Sequence, residues 1–270
     1  MGEPYEELPV RRYEHGRFQA AADPVIREAR VELVVNGGQL RLALLCLPRE
    51  LEALAVGFLR GEGVLRRRQE LRAVRVAADG SAVEVEGDFA PDALEAVRRR
   101  WTWGTACGGG GTGARLDRSA LAPLGAGPVV AAAGLLELMR TFQDRTELWR
   151  RTGGVHACSL ARAGELVLLA EDVGRHNAFD KVVGRALLED VPLDDKLVLT
   201  TGRLSAEIVS KAVTAGAGLL VSRGAPTALA VRLGSRFGAT LVGFARAGRL
   251  NVYCGFHRVT GAGAPASTAP

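Results

Sequence analysis

Residues 196–224 read KLVLTTGRLSAEIVSKAVTAGAGLLVSRG. KLVLTTGR is a short apolar run ending in polar, Gly-bearing residues, as a buried strand does at its carboxyl end. SAEIVSKAVTAGA carries apolar residues at helical spacing, and LLVSRG repeats the strand pattern. Strand, helix and strand joined by short turns specify a crossover unit, which places the two strands parallel in one sheet. This stretch decides the fold class, and the neighbouring sequence repeats its pattern.

On the C-terminal side, TALAVRLGSRFG reads as a helix, and TLVGFAR and RLNVYCG as strands. On the N-terminal side, VHACSLAR and ELVLLAEDV are strands flanking Ala163-Gly164. HNAFDKVVGRALLED follows as a helix with Phe179, Val182, Val183, Ala186 and Leu187 on one face. A hairpin followed by repeated strand–helix units predicts an α/β sheet with substantial parallel character and helices on its faces.

Before residue 153 the pattern differs. VELVVNGGQLRLALLCL (31–47) is two apolar runs around Asn36-Gly37, a hairpin signal. Cys46 ends the second run and reads as a core strand cysteine. Leu51, Leu54, Ala55, Phe58 and Leu59 lie on one helical face, closed by Gly61 and Gly63. Residues 71–77 and 82–88 read as a second hairpin around Asp79-Gly80. Residues 91–100 read as a short helix, and 129–150 carry a helical pattern. Residues 1–29 are polar and read as an irregular, loosely held arm. TGAGAPASTAP at the end has the composition of a disordered tail.

Of 270 residues, 47% are hydrophobic and 24% charged, which is ordinary globular composition, with a net charge of +5. No apolar run is long enough to span a membrane, and MGEPYEELPV lacks a signal-peptide core. The charge suits an anionic small-molecule partner better than nucleic acid. The Arg runs at 66–68 and 98–100 lack interleaved aromatics and read as solvated faces. Four scattered cysteines without framework spacing suggest free thiols in a reducing cytoplasm.

Open α/β sheets bind ligands beyond the carboxyl ends of their strands. Three turns at that edge carry suitable residues: EDVGRHN (171–177), TTGRLS (200–205) and SRGAP (222–226). Each delivers a helix N-terminus, with Arg175, His176, Arg203 and Ser205 among the candidates for holding phosphate or carboxylate. Glu171 and Asp172 suit a general-base pair or a strand-end and helix-capping role, and spacing leaves both open. His156 reads as a structural histidine at a strand start. Lys181 and Lys211 read as salt-paired helix residues.

TWGTACGGGGTG (102–113) places Cys107 before four glycines. A loop this rich in Gly gives a thiol nothing to pack against but offers backbone N–H groups that stabilise a thiolate, with Arg115 adding positive charge. Cys107 is therefore the candidate nucleophile. No second Cys or His lies at ligand spacing from it, so no protein-bound metal is expected there.

Several blocks together resemble the FdhD/NarQ family of formate dehydrogenase accessory sulfurtransferases. VELVVNGG and ALAVGFLRGEGVL match its N-terminal block. RRTGGVHAC, EDVGRHNAFDK, TTGRLSAEIVSKAVTAG, APTALAV and LVGFARAGRLNVY match its C-terminal blocks, in the family's order. The resemblance implies an α/β protein whose C-terminal domain (128–259) is similar to the three-layer α/β/α fold of cytidine deaminases. It also implies a smaller α+β N-terminal domain (30–127), between the arm (1–29) and the tail (260–270). Sulfur would pass from a cysteine desulfurase to Cys107 as a persulfide. It would go on to the molybdenum cofactor, bound as substrate in its bis-molybdopterin guanine dinucleotide form, for formate dehydrogenase. The segment Leu250, Asn251, Val252, Tyr253, Cys254 and Gly255 matches the family's cofactor-binding stretch, and a homodimer is implied.

The family's loop reads Cys-Gly-x-Cys, but here Gly110 stands at the second cysteine's position. This departure keeps a second reading open: a non-catalytic chaperone or diverged relative that binds the cofactor without transferring sulfur. Cys254 is the candidate for a second thiol approaching Cys107. A zinc deaminase is excluded on residues, because Ala157 and Cys158 follow His156 and no Cys-x-x-Cys occurs.

Overall fold

The computed structural model describes residues 3–102, 121–162 and 164–261. Cys107, Gly110, Arg115 and most of the C-terminal tail lie outside the described residues. The first departure from expectation is at the start of the chain. The arm expected to be irregular is a β-hairpin, β1 (Tyr5–Glu14) and β2 (Arg17–Ile26), paired in register over its whole length. His15 and Gly16, both at positive φ, make the tight turn that matches strand twist. Charged and small residues at outward positions hide the alternation that would have announced it.

A four-stranded sheet follows, built from β3 (Ala29–Val35), β4 (Leu40–Cys46), β5 (Leu71–Val76) and β6 (Ala82–Gly87) in the order β4-β3-β6-β5. Asn36-Gly37 turns the first hairpin as expected, and the Asn36 side chain bridges to Gly87 N and O across the sheet. Helix α1 (Leu51–Gly61) lays Leu51, Leu54, Phe58 and Leu59 over this sheet. Helix α2 (Pro91–Thr102) adds Leu94 and Val97 to the same core.

Beyond a short strand β7 (Val130–Ala131), the single helical pattern of 129–150 divides into α3 (Ala132–Asp144) and α4 (Glu147–Thr152). The break is held from outside: the Glu171 carboxylate accepts N–H bonds from Leu148 and Trp149, capping the first turn of α4. The second sheet comprises β8 (His156–Arg162), β9 (Glu165–Asp172), β10 (Leu197–Thr200), β11 (Leu219–Ser222), β12 (Thr240–Arg246) and β13 (Arg249–Cys254). Their order is β13-β12-β11-β10-β8-β9. The central three strands, β10, β11 and β12, are parallel, and β8, β9 and β13 are antiparallel to their neighbours.

Helices α5 (Arg175–Leu188), α6 (Ala206–Ala215) and α7 (Ala228–Phe237) cover one face, where Val198, Leu220 and Leu241 point. Helix α3 covers the other, against Leu197, Leu199, Leu219, Val221 and Val242. Burial on both faces explains the continuous apolar runs of these strands. A last strand, β14 (Val259–Thr260), pairs with β7. The protein is thus a mixed α/β fold. No helix among the described residues is long and apolar enough to cross a membrane.

The two sheets are joined through α1 and α5. Buried Asp172 and Lys181 make the central contact, 2.7 Å apart and fully enclosed. Asp172 also accepts N–H bonds from Leu47, Gly174 and the Asn177 amide, while Lys181 donates to the Leu47 and Glu171 carbonyls. Asn177 reaches the Leu45 carbonyl at 2.7 Å. Much of the EDVGRHNAFDK block therefore locks the end of β4 to the second sheet, and Asp172 has no capacity left for base chemistry. Lys211 pairs with Asp180 at 2.6 Å, so both interior lysines are salt-paired. Arg66, Arg67, Arg98 and Arg99 are exposed, the last two on Glu95, as expected of solvated faces.

Candidate functional site

The carboxyl ends of β10 and β11 are tied into one rigid edge. Thr200 Oγ1 accepts the Gly202 N–H, and Ser222 Oγ accepts the Gly224 N–H while donating to the Gly202 carbonyl. The two loops then run in parallel, with Leu204 bridged to Pro226. Gly202 is required here because a β-carbon would lie 2.8 Å from Arg175 Cβ. That close approach brings the first turn of α5 onto the loop after β10.

Beside this edge lies a cavity of about 280 Å³, lined by Trp149, Gly153, Gly154, Val155, His156, Val173, Thr201 and Arg223. Thr201 Oγ1 accepts the Ala157 N–H at 3.0 Å and stands 3.2 Å from His156 Nδ1, fixing the imidazole in the wall. The Arg223 guanidinium lies 5.3 Å from the centre of the Trp149 ring. Among the described residues, the buried Nε atoms of both Arg223 and Arg175 find no hydrogen-bond partner. A buried guanidinium donor left unsatisfied is costly, and an anion in the cavity would be positioned for that of Arg223, which lines it, whereas Arg175 lies outside the lining.

The local field is positive. His156 is pushed down by burial and by Arg175. His176 is pushed down to about 3 by burial, with Lys211, Arg175 and His156 adding to it. Although its Nε2 is 3.2 Å from Glu207 Oε2, neither atom completes a hydrogen bond, and burial pushes Glu207 up. The ion-pair distance and the depressed imidazole disagree; burial decides, and His176 is neutral near pH 7.

The expected site residues divide. Arg175 stands at the edge, and His176 is buried behind it. Arg203 is exposed on the next loop. Ser205 is occupied in capping α6, accepting the Ile208 N–H, as Thr227 caps α7 through Ala230; α5 alone of the three starts without a side-chain cap. In the 250–255 stretch, Leu250 and Val252 pack toward α3. Asn251 is exposed, and a β-carbon on Gly243 would meet both the Tyr253 ring and Pro226 of the loop after β11. Cys254 and Gly255 lie at the opposite end of β12, where Cys254 Sγ donates to the Ala239 carbonyl. Trp149 and Thr201 were not singled out from the sequence. Each reaches the cavity only through the capping of α4 and the pairing of β8 with β10.

The fold and site define a mixed α/β protein with a cavity at the carboxyl edge of its larger sheet, one wall of which carries Arg223. The FdhD/NarQ family model matches residues 26–260, and the chain belongs to that family. It is 34% identical over 255 residues to the sulfur carrier protein FdhD of Listeria monocytogenes, covering 93% of this chain and 97% of that one. It is 37% identical over 238 residues to the Wolinella succinogenes protein of the same name, covering 88% and 82%. A crystal structure of a Desulfotalea psychrophila protein assigned as a formate dehydrogenase accessory protein superposes with a TM-score of 0.78 at 28% identity, covering 96% of this chain and 100% of that one.

Proposed function

We propose that this chain is a sulfur carrier for formate dehydrogenase, taking sulfur from a cysteine desulfurase as a persulfide on Cys107. The observation that carries the assignment to Cys107 is the state of the other thiols. Cys46, Cys158 and Cys254 are all buried. Burial pushes the Cys46 thiol up to about 12, helped by Asp172, and raises those of Cys158 and Cys254. None of the three is a thiolate at neutral pH, which leaves Cys107 as the nucleophile. The names carried by the relatives support the sulfur-carrier role.

In loading, the Cys107 thiolate attacks the outer sulfur of the donor persulfide, and the donor cysteine leaves as thiolate, with no net oxidation. Releasing that sulfur as sulfide needs two electrons from a second thiol. With Gly110 at the family's second position and Cys254 enclosed, that thiol comes from outside the described core. The acceptor is the molybdenum cofactor in its guanine dinucleotide form, a substrate whose phosphates suit the unpartnered Arg175 and Arg223 donors. Among the described residues no cluster of three metal-ligating side chains occurs. The free, buried Cys46, Cys158 and Cys254 support a reducing compartment, the cytoplasm in this reading.

The test is incubation with a cysteine desulfurase and cysteine, followed by mass spectrometry of the Cys107 peptide. A gain of about 32 Da, one sulfur atom, on that peptide and its loss in Cys107→Ala are expected. An unmodified Cys107, with the desulfurase active on another acceptor, would favour the non-catalytic cofactor-binding chaperone.

A further inference from the structure

His156 begins β8 and stands half-buried in the wall of the cavity that Trp149 and Arg223 also line. Which of its ring nitrogens carries the proton follows from Thr201. Thr201 clips onto Ala157 twice: its N–H donates to the Ala157 carbonyl at 3.1 Å, and its Oγ1 accepts the Ala157 N–H at 3.0 Å. That fixes the hydroxyl oxygen 3.2 Å from His156 Nδ1. The hydroxyl has one hydrogen to give, and among the described residues Nδ1 is the acceptor within its reach. Donating there leaves the ring proton on Nε2. The reverse arrangement, Nδ1–H onto Oγ1, would leave both the hydroxyl hydrogen and the Nε2 lone pair unmatched among the described residues.

Burial and the Arg175 charge both push His156 down, so the imidazole is neutral near pH 7 and holds a single proton. The placement of that proton then sets what the ring offers a ligand.

We infer, on the reading of this cavity as an anion site, that Thr201 is a positioning residue: it holds His156 as the Nε2–H tautomer, so that the cavity offers an oxyanion an imidazole N–H together with the Arg223 guanidinium. Donors of this kind suit an ionised phosphate, whose oxygens only accept, and turn away a group that must itself donate. In the opposite tautomer the Nε2 lone pair would face the phosphate oxygens and repel them. His156 thus adds direction to the charge that Arg223 supplies.

The test is long-range 1H–15N correlation on the full chain labelled at histidine, where the two tautomers give different patterns. Four histidines must be told apart, and loss of one set of signals in His156→Gln assigns its own. The free protein should show Nε2–H, and guanosine diphosphate, a fragment of the proposed cofactor, should shift the Nε2 signal. Thr201→Val removes the hydroxyl at nearly constant shape. It should release the ring to a mixture of tautomers and weaken guanosine diphosphate binding roughly fivefold by calorimetry, while Thr201→Ser restores both. Because Thr201→Val also strands the Ala157 N–H, circular dichroism checks its fold, and a second pair of variants leaves that bond alone. The amide of His156→Gln places an N–H near Nε2 and that of His156→Asn near Nδ1, so the Gln variant should bind roughly fivefold more tightly than the Asn variant. An Nδ1–H pattern in wild type would overturn the inference, and so would equal binding by the Gln and Asn variants. Binding lost in Arg223→Met but kept in Thr201→Val would overturn it while leaving the cavity an anion site. A wild type that binds no guanosine diphosphate would overturn both.

Discussion

Gly57 of α1 and Gly184 of α5 lie backbone to backbone. A β-carbon on Gly57 would fall 1.7 Å from the Asp180 carbonyl oxygen, and one on Gly184 would fall 1.8 Å from that of Ala53. No side chain can move aside to relieve either contact, because the obstacle is main chain. The two helices, and through them the two sheets, are joined by the absence of two methyl groups.

Gly57→Ala or Gly184→Ala should therefore force the helices apart and cost at least the upper end of the ~1–3 kcal/mol typical of overpacking. Gly134→Ala is the control: it lies in α3 with its nearest neighbour 3.7 Å away, so better helix propensity should leave stability equal or higher. Urea denaturation of the three variants decides. Equal midpoints for Gly57→Ala and Gly134→Ala would contradict the close packing of α1 on α5.

The Asp172–Lys181 pair makes the second joint. Lys181→Met leaves Asp172 with three N–H donors but no countercharge. Asp172→Asn leaves a fully buried ammonium with only carbonyl partners. Breaking such a pair from either side should cost ~3–5 kcal/mol. The double replacement should cost less than the sum of the two, because neither charge is then stranded. Additive losses in a double-mutant cycle would mean that the residues act independently.

How far these joints were legible in advance depends on the range over which the signal acts. The strand–helix order from His156 to Cys254 is written in local periodicity, and the hairpin at Asn36-Gly37 in turn chemistry. By contrast, Glu171 and Asp172 were ambiguous because their partners, Leu148, Trp149 and Leu47, come from other elements. The hairpin at 5–26 was missed because an exposed ribbon has no buried face to impose alternation. Trp149 and Arg223 meet only in three dimensions. The position of Arg175 at the start of α5, after a strand, was legible from the strand–helix pattern. Cys254 was the candidate for a second thiol approaching Cys107 because nothing local reveals that β13 buries it.

Acid should act on stability through His176. An unfolded histidine titrates near 6.5, whereas burial and the neighbouring cations push His176 down to about 3. Between those values the unfolded chain binds a proton that the folded chain does not, so stability climbs as pH rises from about 3 to 6.5 and then levels. The slope is at most about 1.4 kcal/mol per pH unit. Asp180 opposes this: burial pushes it up to about 7, so its contribution falls as pH rises above its ordinary value. His176→Gln removes only the rising component. The stability advantage of wild type over His176→Gln should therefore widen between about pH 4 and pH 7. Parallel pH profiles would rule out a buried neutral His176.

Anion binding should depend unequally on the three arginines of the sheet edge. Arg175 and Arg223 each hold a buried Nε without a partner, whereas Arg203 is exposed to solvent. On the proposed reading, guanosine diphosphate is a fragment of the cofactor, and calorimetry with it reads the edge directly. Arg223→Met should weaken binding by about tenfold, the loss of one charge-assisted hydrogen bond in a partly buried setting, and Arg175→Met should do likewise. Arg203→Met should cost much less, because water already solvates that guanidinium and salt screens it. Since neither buried Nε has a hydrogen-bond partner among the described residues, the Arg223 and Arg175 variants should lose little stability beyond the packing of their side chains on Trp149 and Gly202, read by urea midpoints. Equal losses for all three would indicate diffuse electrostatic attraction, and the cavity beside Trp149 would not be the ligand's seat.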